Sequence, residues 1–187
     1  FAEGGEGSLP RIFDTENPGG EKPSDCGDSD LGAPNKACPG GGPGRGIGGI
    51  PGQPGENCEP LGNALIVQEP GESCPDDNVN GGIINIVFPA TNGQYVYELG
   101  LLDIDYEAVV EVGYETLTGF KQRSIPVPLL GDNSYQVLAT NQANVKWIKV
   151  KIERSGAITS IKLCPEESVA PPPSGTQPTT SPLVPTA

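Results

Sequence analysis

Beyond residue 60, short apolar runs alternate with turn-forming residues, and this pattern restricts the chain to an all-β fold. The clearest run is Tyr106 to Glu115, in which every second side chain is apolar and glutamates share the other face. Because successive side chains of a strand point to opposite faces, this alternation is typical of a strand with one buried face. Asn92-Gly93 and Ser155-Gly156 are hairpin signals between such runs.

Several segments of the chain have this strand-like character, and none has a convincing helical period. The predicted strands are Arg11–Asp14, Ala64–Glu69, Gly82–Phe88, Gln94–Asp103, Tyr106–Glu115, Phe120–Val127, Ser134–Ala139, Asn144–Glu153 and Ala157–Cys164. We therefore predict an all-β chain, folded as an antiparallel, jelly-roll-like β-sandwich of about nine strands.

The two ends differ in composition from this region. Residues 1–9 are rich in glycine and glutamate, and residues 166–187 are rich in proline, serine and threonine. We predict a flexible N-terminal segment over 1–9, one domain over 10–165, and a linker or tail over 166–187 of the extended spacer type.

Residues 21–60 form a long segment rich in glycine and proline inside this domain. A loop of such length in a compact domain is usually functional or tied down. From Gly46, glycine occupies every third position for several triplets. This spacing resembles collagen, but the run is too short for a triple helix. We expect a surface loop that is held by a disulfide.

The cysteines favour disulfides over zinc, because the chain has no histidine and no short Cys-x-x-Cys pair. Disulfides imply an oxidising, secreted context. Several pairings are open. We predict Cys38 with Cys58, closing the glycine-rich loop, and Cys26 with Cys74, tying two acidic loops together. Cys164 is then left over, either buried or paired outside this fragment.

The charge of the chain limits its partners. The net charge is −13, with 24 acidic against 11 basic residues. Binding to nucleic acid or to an anionic membrane requires a basic surface, so neither is expected. No apolar run approaches the roughly 20 residues of a membrane span, which argues against membrane insertion. Cations are the natural partners of such a chain.

An apolar strand that ends in two acids is the strongest candidate for a cation site. Strand alternation predicts that Asp103 and Asp105 share one face with Leu99 and Leu101. Two acids on one face repel each other unless a cation lies between them. Calcium takes six to eight oxygen ligands, many of them from flexible loops.

We predict an irregular calcium site at one end of the sandwich, since no segment matches the EF-hand pattern. Its expected ligands are Asp14, Asp30, Asp76, Asp77, Asp103 and Asp105. For Asp25 and Asp28 we favour the ordinary role of aspartate as a solvated loop residue.

Trp147 is the single tryptophan and our candidate for ligand binding. Strand parity places it opposite Ile148, on the face that carries Lys149 and Lys151. An exposed indole can stack on a sugar ring; the alternative is that it packs under a loop such as the glycine-rich one. The glutamates of the Tyr106–Glu115 strand are candidates for pairing with these lysines across neighbouring strands.

An enzyme is not expected. Without histidine, Ser-His and Cys-His nucleophile systems and histidine-bound metals are excluded. A carboxylate pair of the glycosidase type remains open, but Asp103 and Asp105 belong to one strand and do not flank a substrate.

An ordered set of short motifs is similar to a known family. The motifs are Ile12-Phe-Asp-Thr15, Asp30-Leu-Gly-Ala-Pro-Asn35, Gly52 to Asn57 with Leu61-Gly-Asn-Ala-Leu-Ile-Val67, Pro75-Asp-Asp77, Gly100-Leu-Leu-Asp-Ile-Asp105, Gly131-Asp-Asn-Ser134 and Ser155-Gly-Ala-Ile158. The chain resembles a poorly characterised family of secreted β-sandwich domains of diatom-type algae and marine bacterial surface proteins. The resemblance implies an extracellular module of a larger surface protein. Cys26 and Cys74 depart from the usual family pattern, which supports pairing them.

These observations favour a secreted, calcium-stabilised module of a cell-surface or wall protein that binds or adheres to glycans or matrix. The alternatives are a purely structural component of an extracellular matrix or wall and, third, a carbohydrate-active enzyme domain.

Overall fold

The structure is a computed structural model, and it describes residues 2–3, 9–19, 27–89 and 93–164. Its strands are β1 (Ala2–Glu3), β2 (Pro10–Asp14), β3 (Asn63–Val67), β4 (Gly82–Val87), β5 (Gln94–Leu102), β6 (Ala108–Thr116), β7 (Gly119–Pro126), β8 (Tyr135–Ile152) and β9 (Ala157–Leu163). All strand pairs are antiparallel, and these residues contain no helix. The all-β prediction is confirmed.

The long strand β8 joins two groups of strands. Its first half pairs with β5, from Tyr135 opposite Leu102 to Val145 opposite Gln94, and the order continues through β9 and β3 to β2. Its second half lies between β4 and β6; β7 follows on β6, and the two-residue β1 on β4. The two-layered jelly-roll arrangement stays a prediction.

The predicted strands Ser134–Ala139 and Asn144–Glu153 are one strand, so the described residues form eight strands of five or more residues. Asn141 and Asn144 adopt positive φ angles of 45° and 55° inside β8. Asparagine tolerates this left-handed conformation better than most residues. The chain can therefore bend at these two positions without ending the strand, although the sequence there reads as a turn.

The main core comes from the alternation that the sequence predicts. Val110 and Val112 of β6 lie directly opposite Val150 and Ile148 of β8, and all four side chains are fully buried. The same cluster includes buried side chains of β3, β4, β5 and β9. Burying an aliphatic side chain of this size stabilises a fold by roughly 1.5–3 kcal/mol. This core fixes the strand ends from which the acidic loops leave.

The glycine-rich loop is held by a disulfide as predicted, but it is only partly a surface loop. Leu31 is fully buried in a second cluster with Phe13 and Ile66, and Asn35 and Asn57 are buried as well. The composition of the loop hides these few buried positions among many glycines and prolines. Its interior side chains therefore fasten it to the sheet.

The cysteines follow the prediction where the structure describes them. Cys38 and Cys58 form a disulfide with a Cα–Cα distance of 5.4 Å, as predicted. Cys74 is disulfide-bonded, but Cys26 lies outside the described residues, so their pairing stays a prediction. Cys164 is a free, half-buried thiol. The tail at 166–187 and most of the segment at 1–9 also lie outside the described residues.

Glycine is required in this loop because backbone segments cross there at close range. A Cβ atom on Gly44 would overlap the carbonyl oxygen of Gly32, and one on Gly46 would overlap that of Asp132. Gly46 also has a φ of 144°, which side chains disfavour. The glycines therefore serve close packing against the rest of the domain rather than a collagen-like helix.

We predict that Gly44→Ala destabilises the domain by about 1–3 kcal/mol, the usual cost of overfilling a packed site. The matched control is Gly27→Ala, because a Cβ there meets its nearest atom at an ordinary 3.5 Å. Urea unfolding measures both variants. If the two variants have equal free energies of unfolding, the loop accommodates the added Cβ at position 44 without loss of stability.

Candidate functional site: a cluster of carboxylates

Aspartates from separate segments meet at one end of the sheet. They are Asp28 and Asp30 from the glycine-rich loop, Asp76 and Asp77 from the loop after β3, Asp103 from the end of β5, and Asp132 from the turn before β8. They form two groups, Asp28 with Asp76 and Asp77, and Asp30 with Asp103 and Asp132. In each group the carboxylate oxygens lie within 4.8 Å of one another.

Asp103 reaches its group because β5 ends one residue earlier than predicted. Leu101 and Leu102 are both buried, and Asp103 has a φ of 60°. This left-handed residue breaks the strand alternation. The prediction that Asp103 and Asp105 share one strand face is therefore wrong, and Asp105 belongs to neither group.

Hydrogen bonds hold the Asp103 carboxylate and join the two groups. Its Oδ1 accepts the backbone N–H of Asn133 at 2.6 Å, and its Oδ2 lies 2.7 Å from the Ser155 hydroxyl. The same hydroxyl lies 2.8 Å from Oδ2 of Asp77, which also accepts the N–H of Gly156. Since one hydroxyl carries one proton, Ser155 can donate to only one of the two carboxylates at a time.

Asn133 attaches the glycine-rich loop to this end of the sheet. Its side-chain amide is fully buried and donates to the carbonyl oxygens of Asp30 at 2.6 Å and Gly32 at 2.7 Å. Its Oδ1 accepts from the Asn35 amide at 2.6 Å. Asn133 therefore sets the backbone position of Asp30 beside its neighbour Asp132.

Burial is the main electrostatic feature of the cluster. Desolvation, together with hydrogen bonds to Asp30 and Asp77 and their charges, raises the pKa of Asp28 to about 11. Desolvation and the charge of Asp30 raise the pKa of Asp103 to about 8, against the opposing hydrogen bonds from Asn133 and Ser155. Burial also raises the pKa of Asp76, Asp77 and Asp132.

Within the described part of the chain, no ion pair compensates these acids. The ion pairs found there all lie elsewhere, on the strands of the sheet. Oδ1 of Asp30 and Oδ1 of Asp105 are buried and accept no hydrogen bond from a described residue. A buried charge without a partner is costly. A divalent cation is the partner that oxygen ligands of this kind suit, calcium, magnesium or manganese among them.

The predicted ligands divide into three sets. Asp30, Asp76, Asp77 and Asp103 lie in the cluster, and Asp105 lies close enough for the charge of Asp30 to raise its pKa, although desolvation is the larger cause. Asp14 is exposed, and its Oδ1 accepts the N–H of Glu16 at 3.1 Å in a local turn. The structure does not bring Asp14 into either group.

Sequence reasoning missed two members of the cluster. Asp28 was assigned to solvent, and Asp132 was treated only as part of a Gly-Asp-Asn turn. Asp25, assigned to solvent with Asp28, lies outside the described residues. The one signal for Asp132 was its place in a turn directly before a long strand, which also describes many solvated aspartates.

Trp147 is half-buried on the face of β8 that carries Lys149 and Lys151, as strand parity predicts. The predicted cross-strand pairing is confirmed for Lys151, whereas Lys149 forms no ion pair among the described residues. Lys151 lies 2.5 Å from Glu111, and Lys146 lies 3.2 Å from Glu115. Exposed pairs of this kind contribute roughly 0–1 kcal/mol each.

Comparison of the chain with protein-family models, with curated proteins and with solved structures finds no match. Among the residues that the structure describes, no helix is long and apolar enough to span a membrane.

We predict that, in EDTA, the protein loses stability as pH rises from about 4 to about 8, and that Asp103→Asn flattens this slope. The pKa of Asp103 is raised from 3.8 to about 8 in the folded chain. Protonated Asp103 therefore contributes its full stabilisation below the pKa that it has in the unfolded chain. That contribution is lost as the pH rises towards about 8, its pKa in the folded chain. Urea unfolding of both proteins across this range measures the difference. If the free energy of unfolding has the same pH dependence in both proteins, the pKa of Asp103 is not raised in the folded chain.

Proposed function

We propose that this chain is a calcium-stabilised β-domain of a secreted cell-surface or wall protein, and that it binds glycans or matrix. One observation carries the proposal: acids from four separate segments lie together, with Asp77 and Asp103 buried, Asp28, Asp30 and Asp76 half-buried and Asp132 exposed, and no described lysine or arginine forms an ion pair with them.

The ligand chemistry favours calcium. The two groups offer carboxylate oxygens only, on loops and strand ends rather than on a rigid helix. Calcium accepts six to eight such oxygens in flexible geometry, whereas magnesium demands a near-ideal octahedron and keeps several waters. Asp30 connects the two groups, because it lies in the group of Asp103 and Asp132 and also hydrogen-bonds Asp28 of the other group.

A bound cation would stabilise the fold as well as neutralise the acids. It would connect the glycine-rich loop, the loop after β3, the end of β5 and the turn before β8. Any ligand that binds only the folded chain stabilises it by mass action, by about 2.7 kcal/mol at one hundred times its Kd. The proposed role of the ion is therefore structural.

The extracellular setting rests on the Cys38–Cys58 disulfide, since such bonds persist in oxidising compartments. The resemblance to secreted algal and bacterial surface domains points the same way. The binding role rests on Trp147 and on the side chains that surround it. A structural wall component without a ligand is the main alternative, and a carbohydrate-active enzyme domain the third.

We predict that excess calcium raises the thermal unfolding midpoint above that in EDTA by roughly 5–10 °C, as expected for a few kcal/mol in a chain of this size. Asp30→Asn should abolish most of this shift. Asp14→Asn is the matched control, because Asp14 is exposed and lies in neither group. Equal midpoints in calcium and EDTA would show that the cluster holds no structural calcium.

We predict saturable binding to at least one carbohydrate on a glycan array that includes algal polysaccharides, and loss of that binding in Trp147→Ala. The structural alternative predicts no saturable ligand. Turnover of a polysaccharide that survives Trp147→Ala and is lost in Asp103→Asn would instead favour the enzyme.

A further inference from the structure

The outer face of the sheet carries a small aromatic surface around Trp147. Strand pairing places Val87 of β4, Trp147 of β8 and Gly113 of β6 side by side in one row. The ring of Phe120 lies near the indole, with 6.3 Å between ring centroids. Phe120 and Val87 are 57% and 66% exposed, so this surface faces solvent.

Because Gly113 has no side chain, the Trp147 indole can pack directly against the backbone of β6. A Cβ atom on Gly113 would overlap the six-membered and five-membered rings of Trp147 where they face the backbone. Without that side chain, one face of the indole rests on β6. A ring supported in this way is held rigidly, which lowers the entropy lost on binding a ligand.

A lysine lies over this ring. The ammonium of Lys149 is placed above the face of the indole, 5.7 Å from the Trp147 ring centroid, in a cation–π contact. The other two lysines on this stretch of β8, Lys146 and Lys151, form ion pairs with glutamates of β6. Lys149 has no ion pair among the described residues, so its charge is available to a ligand.

We propose that this face binds an acidic oligosaccharide, with one uronate ring stacked on Trp147 and its carboxylate paired with Lys149. The inference rests on the proposed function and names the class of glycan. The C–H groups of a pyranose ring pack on an indole face. As the sugar ring packs there, the Lys149 side chain moves off the indole face, and its ammonium donates a charge-assisted hydrogen bond to the carboxylate.

The acidity of the whole chain does not oppose this pairing at physiological salt. Exposed charges more than about 8 Å apart are largely screened there. On the stretch of β8 around Trp147, Lys146 and Lys151 are paired with glutamates, and Lys149 forms no ion pair among the described residues. Binding should weaken with added salt, since it contains an ionic contact.

The test is calorimetric titration with trigalacturonate and with its carboxyl-reduced, neutral counterpart, at fixed calcium and salt. The wild-type chain should bind the acid roughly tenfold more tightly than the neutral sugar. Trp147→Ala should lose both, and Lys149→Gln should keep the neutral affinity and lose the preference. Lys162→Gln, which removes an exposed lysine paired with Glu98, is the matched control and should change nothing.

Each other result overturns the inference in a recognisable way. Equal affinity for the two sugars, or an acid preference that survives Lys149→Gln, rejects the uronate assignment and leaves glycan binding by Trp147 intact. An acid preference lost in Asp30→Asn instead assigns the contact to calcium at the carboxylate cluster. No binding to either sugar, together with a glycan array that shows no ligand, rejects the proposed binding function itself. Lys149→Gln changes only a half-buried surface side chain, so its result does not depend on a damaged fold.

Discussion

The attachment of the glycine-rich loop to the turn before β8 is the interaction on which the rest of the structure depends. Asn133 makes it, with a fully buried side chain that bonds the backbone of Asp30 and Gly32 and the amide of Asn35. Together with the backbone hydrogen bonds from the Gly48 N–H to the Asp132 carbonyl and from the Tyr135 N–H to the Gly55 carbonyl, this attachment brings the loop's acids to the end of β5. It requires glycines at close backbone crossings, and the Cys38–Cys58 disulfide closes the loop that it holds. The loop composition that resembled collagen is thus the composition of a tightly packed connection.

The carboxylate cluster opposes this packing. Desolvated acids with raised pKa values are destabilising when ionised, and the described residues supply hydrogen bonds from Asn133, Ser155 and Gly156 but no cationic side chain in an ion pair. Removing a buried charge's partner typically costs several kcal/mol. A cation bound between the two aspartate groups would neutralise these acids. It would also connect the four segments that carry them. In the proposed arrangement, the metal neutralises the acids that the glycine-rich loop brings together with those at the end of β5.

The sequence pattern predicted those features of the fold that depend mainly on neighbouring residues in the chain. Alternation located the strands and the outward face of Trp147, and the Cys38–Cys58 bond was predicted, among several open pairings, as the one that closes the glycine-rich loop. It did not predict that Asn141 and Asn144 bend a single strand, because the same residues usually mark a turn. Nor did it predict the positive φ of Asp103, which breaks the parity argument, or the membership of Asp28 and Asp132, which depends on how distant segments fold together.

The most direct test is a crystal structure grown in calcium, with an anomalous difference map that reveals the ion. The account predicts a peak coordinated at about 2.3–2.6 Å by carboxylate oxygens of one or both groups, with Asp30 among the ligands. A map without a peak, in which Asp28 still hydrogen-bonds Asp30 and Asp77 as a protonated acid, would contradict it.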